Sequence, residues 1–186
     1  MHVRFSTCRG LPVVDASSDA ILGRLKGIVL NPDTGKVEGF TVHVPGLLSG
    51  SELFCAGVDI LHWGTHILVR DSDILSPVED RIRLQELLAQ RRPLLGQRIR
   101  TESGKILGIC ADVQIDTTKM LATWMFPRRL WRWGIAIPLT EVVEVRREAI
   151  VVRDPPIMKE SEATASEVLH ALPSLKGIAE TGSCTS

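Results

Sequence analysis

The chain has 186 residues, 44% of them hydrophobic, with 22 Lys+Arg against 22 Asp+Glu. That apolar content excludes wholesale disorder, and the balanced charge argues against a protein that lives on bulk nucleic acid, which usually carries a basic excess. No run reaches the ~18 apolar residues of a membrane-spanning helix, Met1 to Cys8 carries no signal-peptide core, and Cys8, Cys55, Cys110 and Cys184 form no CxxC pair. We therefore expect a cytoplasmic chain, at most peripheral to the inner face of a membrane, with reduced structural cysteines.

In chain order, Leu11 to Asp15, Ala20 to Leu30 and Lys36 to Val44 read as strands. The last two flank Asn31-Pro32-Asp33-Thr34-Gly35, where Pro presets φ and Gly supplies the positive φ of a turn. Phe40, Val42 and Val44 alternate with Thr41 and His43 as a half-buried strand requires, and Gly39 marks an expected bulge. Ala56 to Leu61 and His66 to Arg70 close the first unit, turning at Trp63-Gly64-Thr65. Ser76, Pro77 and Glu79 then read as N-cap, first helical residue and capping box of a connecting helix over 76–92, with Leu84, Leu87 and Leu88 as its apolar stripe. Strands follow at Gly96 to Arg100, Lys105 to Ile115, Met120 to Phe126, Ile135 to Val145 and Ala149 to Arg153. After Pro155-Pro156 the composition turns polar and small, and 156–186 reads as a tail with a weak helix at Glu160 to Leu172.

The two strand sets align. Ile21-Leu22-Gly23 falls on Ile106-Leu107-Gly108 at an offset of 85. If the first copy holds two extra residues around Asn31-Pro32-Asp33, the offset becomes 83, and Ile60 falls on Val143 and Ile67 to Asp71 on Ile150 to Asp154. The expected organisation is a first module at 1–75, the helix, a second module at 93–155 and the tail. Each module has too few strands to bury both faces of an open sheet, so curling into a small barrel is expected.

The run from Leu22 to Val37, together with Gly96 to Asp116, resembles the opening of a PRC-barrel domain. Ile137 to Val143 and Ala149 to Val152 are similar to that family's last strands. The resemblance implies a mainly β fold of two small PRC-type barrels in tandem. The family's known settings are the cytoplasmic part of the photosynthetic reaction-centre H subunit and the C-terminal domain of a ribosome maturation factor. Both imply contact with other macromolecules and supply no catalytic residue to carry over.

The most unusual segment is Trp124-Met125-Phe126-Pro127-Arg128-Arg129-Leu130-Trp131-Arg132-Trp133, which holds three of the chain's four Trp. Trp and Arg are enriched at binding hot spots, so Trp124, Phe126, Arg128, Arg129, Leu130, Trp131, Arg132 and Trp133 are candidate partner-binding residues, with Pro127-Arg128-Arg129 as an expected hairpin tip. The bland alternative buries Trp124 or Phe126 in the core and leaves the arginines solvated. Leu47 and Leu48, in Gly46 to Ser51, form a second candidate contact loop. Arg81, Arg83, Arg91, Arg92, Arg98 and Arg100 make a locally basic stretch, read mainly as a solvated face. His62 and His66 flank a turn and read as ordinary turn residues, not metal ligands. No Walker, dinucleotide or G-x-S-x-G spacing is present. We expect a non-enzymatic docking protein without cofactor, metal or small-molecule substrate. Its partner would be a protein or a second copy. RNA or ribosome association, and peripheral contact with a membrane beside an electron-transfer complex, are the alternatives.

Overall fold

The computed structural model describes residues 1–46 and 51–154. The chain opens with β1 (His2–Arg4) and a single helical turn, α1 (Phe5–Cys8). Then come β2 (Pro12–Asp15), β3 (Ile21–Leu30), β4 (Val37–Val44), β5 (Ser51–Ala56), β6 (Ile60–Trp63) and β7 (Ile67–Val69). The helix α2 (Ile82–Ala89) leads to β8 (Arg98–Thr101), β9 (Ile106–Asp116), β10 (Leu121–Arg129), β11 (Arg132–Trp133), β12 (Ile137–Pro138), β13 (Val142–Val145) and β14 (Ile150–Val152). The fold is mainly β, in two sheets of six and eight strands.

The sheets share one strand order. The first runs β5-β4-β3-β2-β7-β6 and the second β11-β10-β9-β8-β14-β13. Each has one parallel pair at the same place, β2 with β7 and β8 with β14. The ladders fix the equivalence residue by residue. Leu25 faces Val42 as Cys110 faces Pro127, and Leu30 faces Val37 as Ile115 faces Ala122. The offset is therefore 85 through the whole β3–β4 hairpin, not 83 from Thr34 onward. The turns match too: Asn31 Oδ1 accepts from the amides of Asp33 and Thr34, and Asp116 Oδ1 from those of Thr118 and Lys119. Gly35 and Met120 both take positive φ, +71° and +50°. The length difference lies later. Six residues separate Val44 from Ser51, whereas Arg129 pairs directly with Arg132 around a two-residue tip. Ile60 and Val142 both face the last residue of their closing strand, Val69 and Val152, so the partner of Ile60 is Val142 and not Val143.

Several sequence expectations shift for physical reasons. Ser76 caps no helix: its backbone exchanges hydrogen bonds with Phe54 at the edge of β5, and its Oγ accepts from Arg81 Nε. A 3-10 turn, Val78–Asp80, follows, and α2 spans eight residues with Leu84 buried and Leu88 exposed. Ile135 to Val145 is not one strand but β12, a 3-10 turn at Leu139–Glu141, and β13. The elements β1, α1 and β5 were not expected. The bulge of β4 falls at Glu38, beside Gly39. A Cβ at Gly39 would lie 2.2 Å from the Cys55 carbonyl oxygen and 2.3 Å from the Phe54 ring, so glycine there permits close strand approach.

One hydrophobic cluster runs through both sheets, including Phe5, Val13, Leu25, Phe40 and Trp63 with Ile99, Cys110, Val113, Met125 and Ile150. Trp63 meets Phe40 edge-on at 4.8 Å between ring centroids. The sheets join at equivalent residues: Val37 N donates to Met120 O at 2.8 Å, and Ala122 N to Gly35 O at 2.9 Å. This is a pseudo-twofold contact inside one chain.

Candidate functional site

The aromatic–basic segment forms a hairpin that begins in β10. Pro127 is buried within the strand, at a register shift between Phe126 and Pro127 where its missing N–H costs no ladder bond. Hence Pro127-Arg128-Arg129 is strand, and the tip is Leu130-Trp131. Leu130 sits at φ +52°, a backbone region that favours Gly or Asn. A bulky apolar side chain is thus held at a strained position while 84% exposed. Trp131 is 96% exposed, Trp133 55% and Ile135 90%. Arg128, Arg129 and Arg132 are exposed around them.

Strand alternation decides which of the large residues is core. Met125 points inward and is fully buried; Trp124 and Phe126 lie on the other face of β10. Neither fills the core: Trp124 is 40% exposed, and Phe126 is half-buried under Arg4.

Arg4 reaches the hairpin because β1 does not pair with its own repeat. It adds antiparallel to β9, with Val3 opposite Ile115 and Arg4 opposite Gln114. The Arg4 guanidinium then lies 3.8 Å from the Phe126 ring centroid. In α1, Phe5 and Cys8 are buried, which turns Ser6 and Arg9 outward. Ser6 N and Oγ donate to the buried Asp112 carboxylate at 3.0 and 2.5 Å, pinning α1 to β9. Arg9 lies 5.6 Å from the Phe5 ring, and Arg128 5.8 Å from the Trp133 ring of the facing strand. Between α1 and the hairpin an open cleft of about 810 Å³ results, with Arg4, Arg9, Arg128, Leu130 and Trp133 on its walls and Ile109 to Asp112 as its floor. Among the described residues, none of Arg4, Arg9, Arg128, Arg129 or Arg132 has an ion-pair partner.

The structure thus brings Phe126, Arg128, Leu130 and Trp133 together with Arg4, Phe5 and Arg9, which the sequence reading missed. The available signal was an apolar-alternating start, His2-Val3-Arg4-Phe5, with Arg4 inside it and Arg9 following it. Trp124 instead borders a separate depression beside Thr34 and Pro138. Leu47 and Leu48 lie outside the described residues. Their segment, 45–50, follows β4 and precedes β5 in sequence, as Leu130-Trp131 follows β10 and precedes β11.

Other candidates separate. Arg81 is half-buried and spent on Ser76 Oγ and the Ile74 carbonyl, and Arg92 forks onto Asp33 at 2.7 and 2.8 Å. The rings of His62 and His66 are 6.5 Å apart, and among the described residues no group of three or more His, Cys, Asp or Glu is placed to hold a metal ion. Burial raises the Cys55 and Cys110 thiols to about 12, with nearby carboxylates of Asp59 and Asp112 adding to the shift. No helix among the described residues is long and apolar enough to cross a membrane.

No curated protein matches the chain. A family model described as the PRC-barrel domain matches residues 1–86, which takes in the first sheet, the Ser76 bridge to Phe54 and most of α2. A PRC-barrel domain is thus matched over residues 1–86 of the 186.

Proposed function

We propose that the chain is a non-enzymatic docking protein whose contact surface is the hairpin of the second sheet, and that the partner is a protein. One observation carries this reading: Leu130, Trp131, Trp133 and Ile135 are exposed together, beside Arg129 and Arg132, on a hairpin whose tip residue holds an unfavourable backbone angle. Large apolar side chains left in water with adjacent arginines are the composition of a binding hot spot. Peripheral membrane contact is the second reading, favoured by the joint exposure of Trp131 and Trp133, since Trp beside Arg suits an anionic bilayer surface. RNA association, as in a maturation factor, draws less support, because Arg81 and Arg92 of the basic stretch are already engaged within the fold.

The test is affinity recovery from lysate with wild type and with Leu130→Ser/Trp131→Ser, whose side chains are exposed. Detergent-treated and nuclease-treated arms run in parallel. The docking reading expects a discrete protein partner, lost from the folded variant and indifferent to either treatment. Equal recovery by both forms rejects the hairpin as the surface. Loss on detergent treatment moves the reading to the membrane, and loss on nuclease treatment moves it to RNA.

A further inference from the structure

We propose that the cleft between α1 and the hairpin takes an acidic segment of the docked partner, Asp or Glu carboxylates followed by a bulky apolar side chain. This inference rests on the docking reading and adds the chemistry of the partner. The argument starts with charge. Three guanidiniums, Arg4, Arg9 and Arg128, face one carboxylate, Asp112, in the lining, leaving two positive charges. Asp112 is 1% exposed, and its oxygens accept from Ser6 N, Ser6 Oγ and Val113 N, so it is turned into the fold and not toward the arginines.

Geometry adds selectivity. Each of the three arginines lies over an aromatic ring: Arg4 on Phe126, Arg9 on Phe5 and Arg128 on Trp133. Arg4, at 3.8 Å, is stacked, which keeps its guanidinium edge free to present paired N–H donors to a carboxylate and reduces the entropy lost on binding, while Arg9 and Arg128, at 5.6 and 5.8 Å, make looser cation–π contacts. Leu130 and Trp133 at the rim offer an apolar surface directly beside those donors.

A second pocket, of about 340 Å³, differs in character: it is walled mainly by apolar side chains, including Leu87, Leu88, Leu94 and Leu95, and of its two arginines, Arg91 and Arg92, the latter is already neutralised by Asp33.

The experiment is fluorescence anisotropy of the full chain with a labelled peptide, Glu-Asp-Glu-Leu-Trp, against its amide counterpart, Gln-Asn-Gln-Leu-Trp. The acidic peptide is expected to bind at least about tenfold tighter, with the margin shrinking as salt rises. Arg4→Gln/Arg9→Gln is expected to erase the margin and Arg128→Lys, which keeps charge but loses the planar fork, to reduce it. Arg146→Gln, an exposed arginine paired with Glu144 elsewhere, leaves it unchanged. Equal binding of the two peptides overturns the proposal. So does an undiminished margin in an Arg4→Gln/Arg9→Gln protein that melts like wild type, or tighter binding of a short oligo-uridine than of the acidic peptide. The two readings fail separately: a partner lost with the Leu130→Ser/Trp131→Ser tip while both peptides bind alike leaves docking standing and removes the acidic segment.

Discussion

Arg92 and Asp33 lie 59 residues apart in sequence and meet as a two-pronged fork, with Arg92 Nη1 also donating to the Val145 carbonyl. The Arg92 hydrogen bond holds the Asp33 carboxyl below the usual carboxylate range. A depressed folded-state value means that the stabilisation is present above the unfolded value, near 3.9, and is lost as pH falls through the folded one. Asp33 is 60% exposed, so solvent screening limits the contribution to about 1 kcal/mol. Urea melts of Asp33→Asn are expected to show that loss at pH 7 and a smaller drop in stability than wild type between pH 4 and 2; parallel curves for the two proteins would mean that the fork contributes nothing. The pair also shows why residue-level reading stops where it does. Three Trp beside three Arg mark the hairpin from sequence alone, whereas nothing local in Arg92 says that it is spent, or in Arg4 that it is free. Those facts depend on which strand lies opposite.

Elements were legible where turn chemistry is local and misread where a distant strand decides. The Asn31 to Gly35 turn was found because Pro and Gly dictate it. The capping pattern at Ser76 is equally good locally, yet the edge of β5 claims its backbone. Pro127 reads as a turn former, and a bulge in the β9–β10 ladder accommodates it within a strand. Gly108 governs where that hairpin lies: it sits at φ +141°, and an added Cβ would fall 2.7 Å from the Arg128 carbonyl oxygen. Gly108→Ala should therefore cost about 2–3 kcal/mol in chemical denaturation, through backbone strain and overpacking. It should also weaken partner recovery, because Arg128 must move. The equivalent Gly23 has no positive φ, but a Cβ there would meet the His43 carbonyl oxygen at 2.5 Å, so Gly23→Ala is expected to destabilise while sparing the hairpin. Gly23→Ala thus separates lost stability from lost docking.

At the scale of the molecule, the sequence reading assigned residues 1–75 to one module, and the start of that stretch pairs with the other sheet. β1 and α1 precede the first sheet in sequence but build the second: β1 extends β9, Ser6 binds Asp112, and Phe5 and Cys8 enter the core that both sheets share. The first sheet makes the contrast plain, since the edge that β1 covers on β9 corresponds to Val29 to Asn31 at the end of β3, whose neighbourhood contains Leu87 and Leu88 of α2. A short apolar start gives no hint of its destination; pairing across more than a hundred residues is a property of the assembled core, not of local pattern. Deleting residues 1–9 tests this interleaving. Removing Phe5 alone withdraws a buried aromatic, a loss of about 3–5 kcal/mol. By hydrogen exchange, the first amides to lose protection should be those of Gln114 to Asp116, in the module farthest away in sequence. The Ile21 to Arg24 half of β3, paired with β2, should stay protected. The reverse order, with β3 exposed first and Gln114 to Asp116 intact, would mean that the two sheets are independent and that the arginine cleft is only an accident of their proximity. With the order as stated, loss of the N-terminal segment removes Arg4 and Arg9 and uncovers β9 in a single step, so the stability of the second sheet and its binding surface depend on the same nine residues.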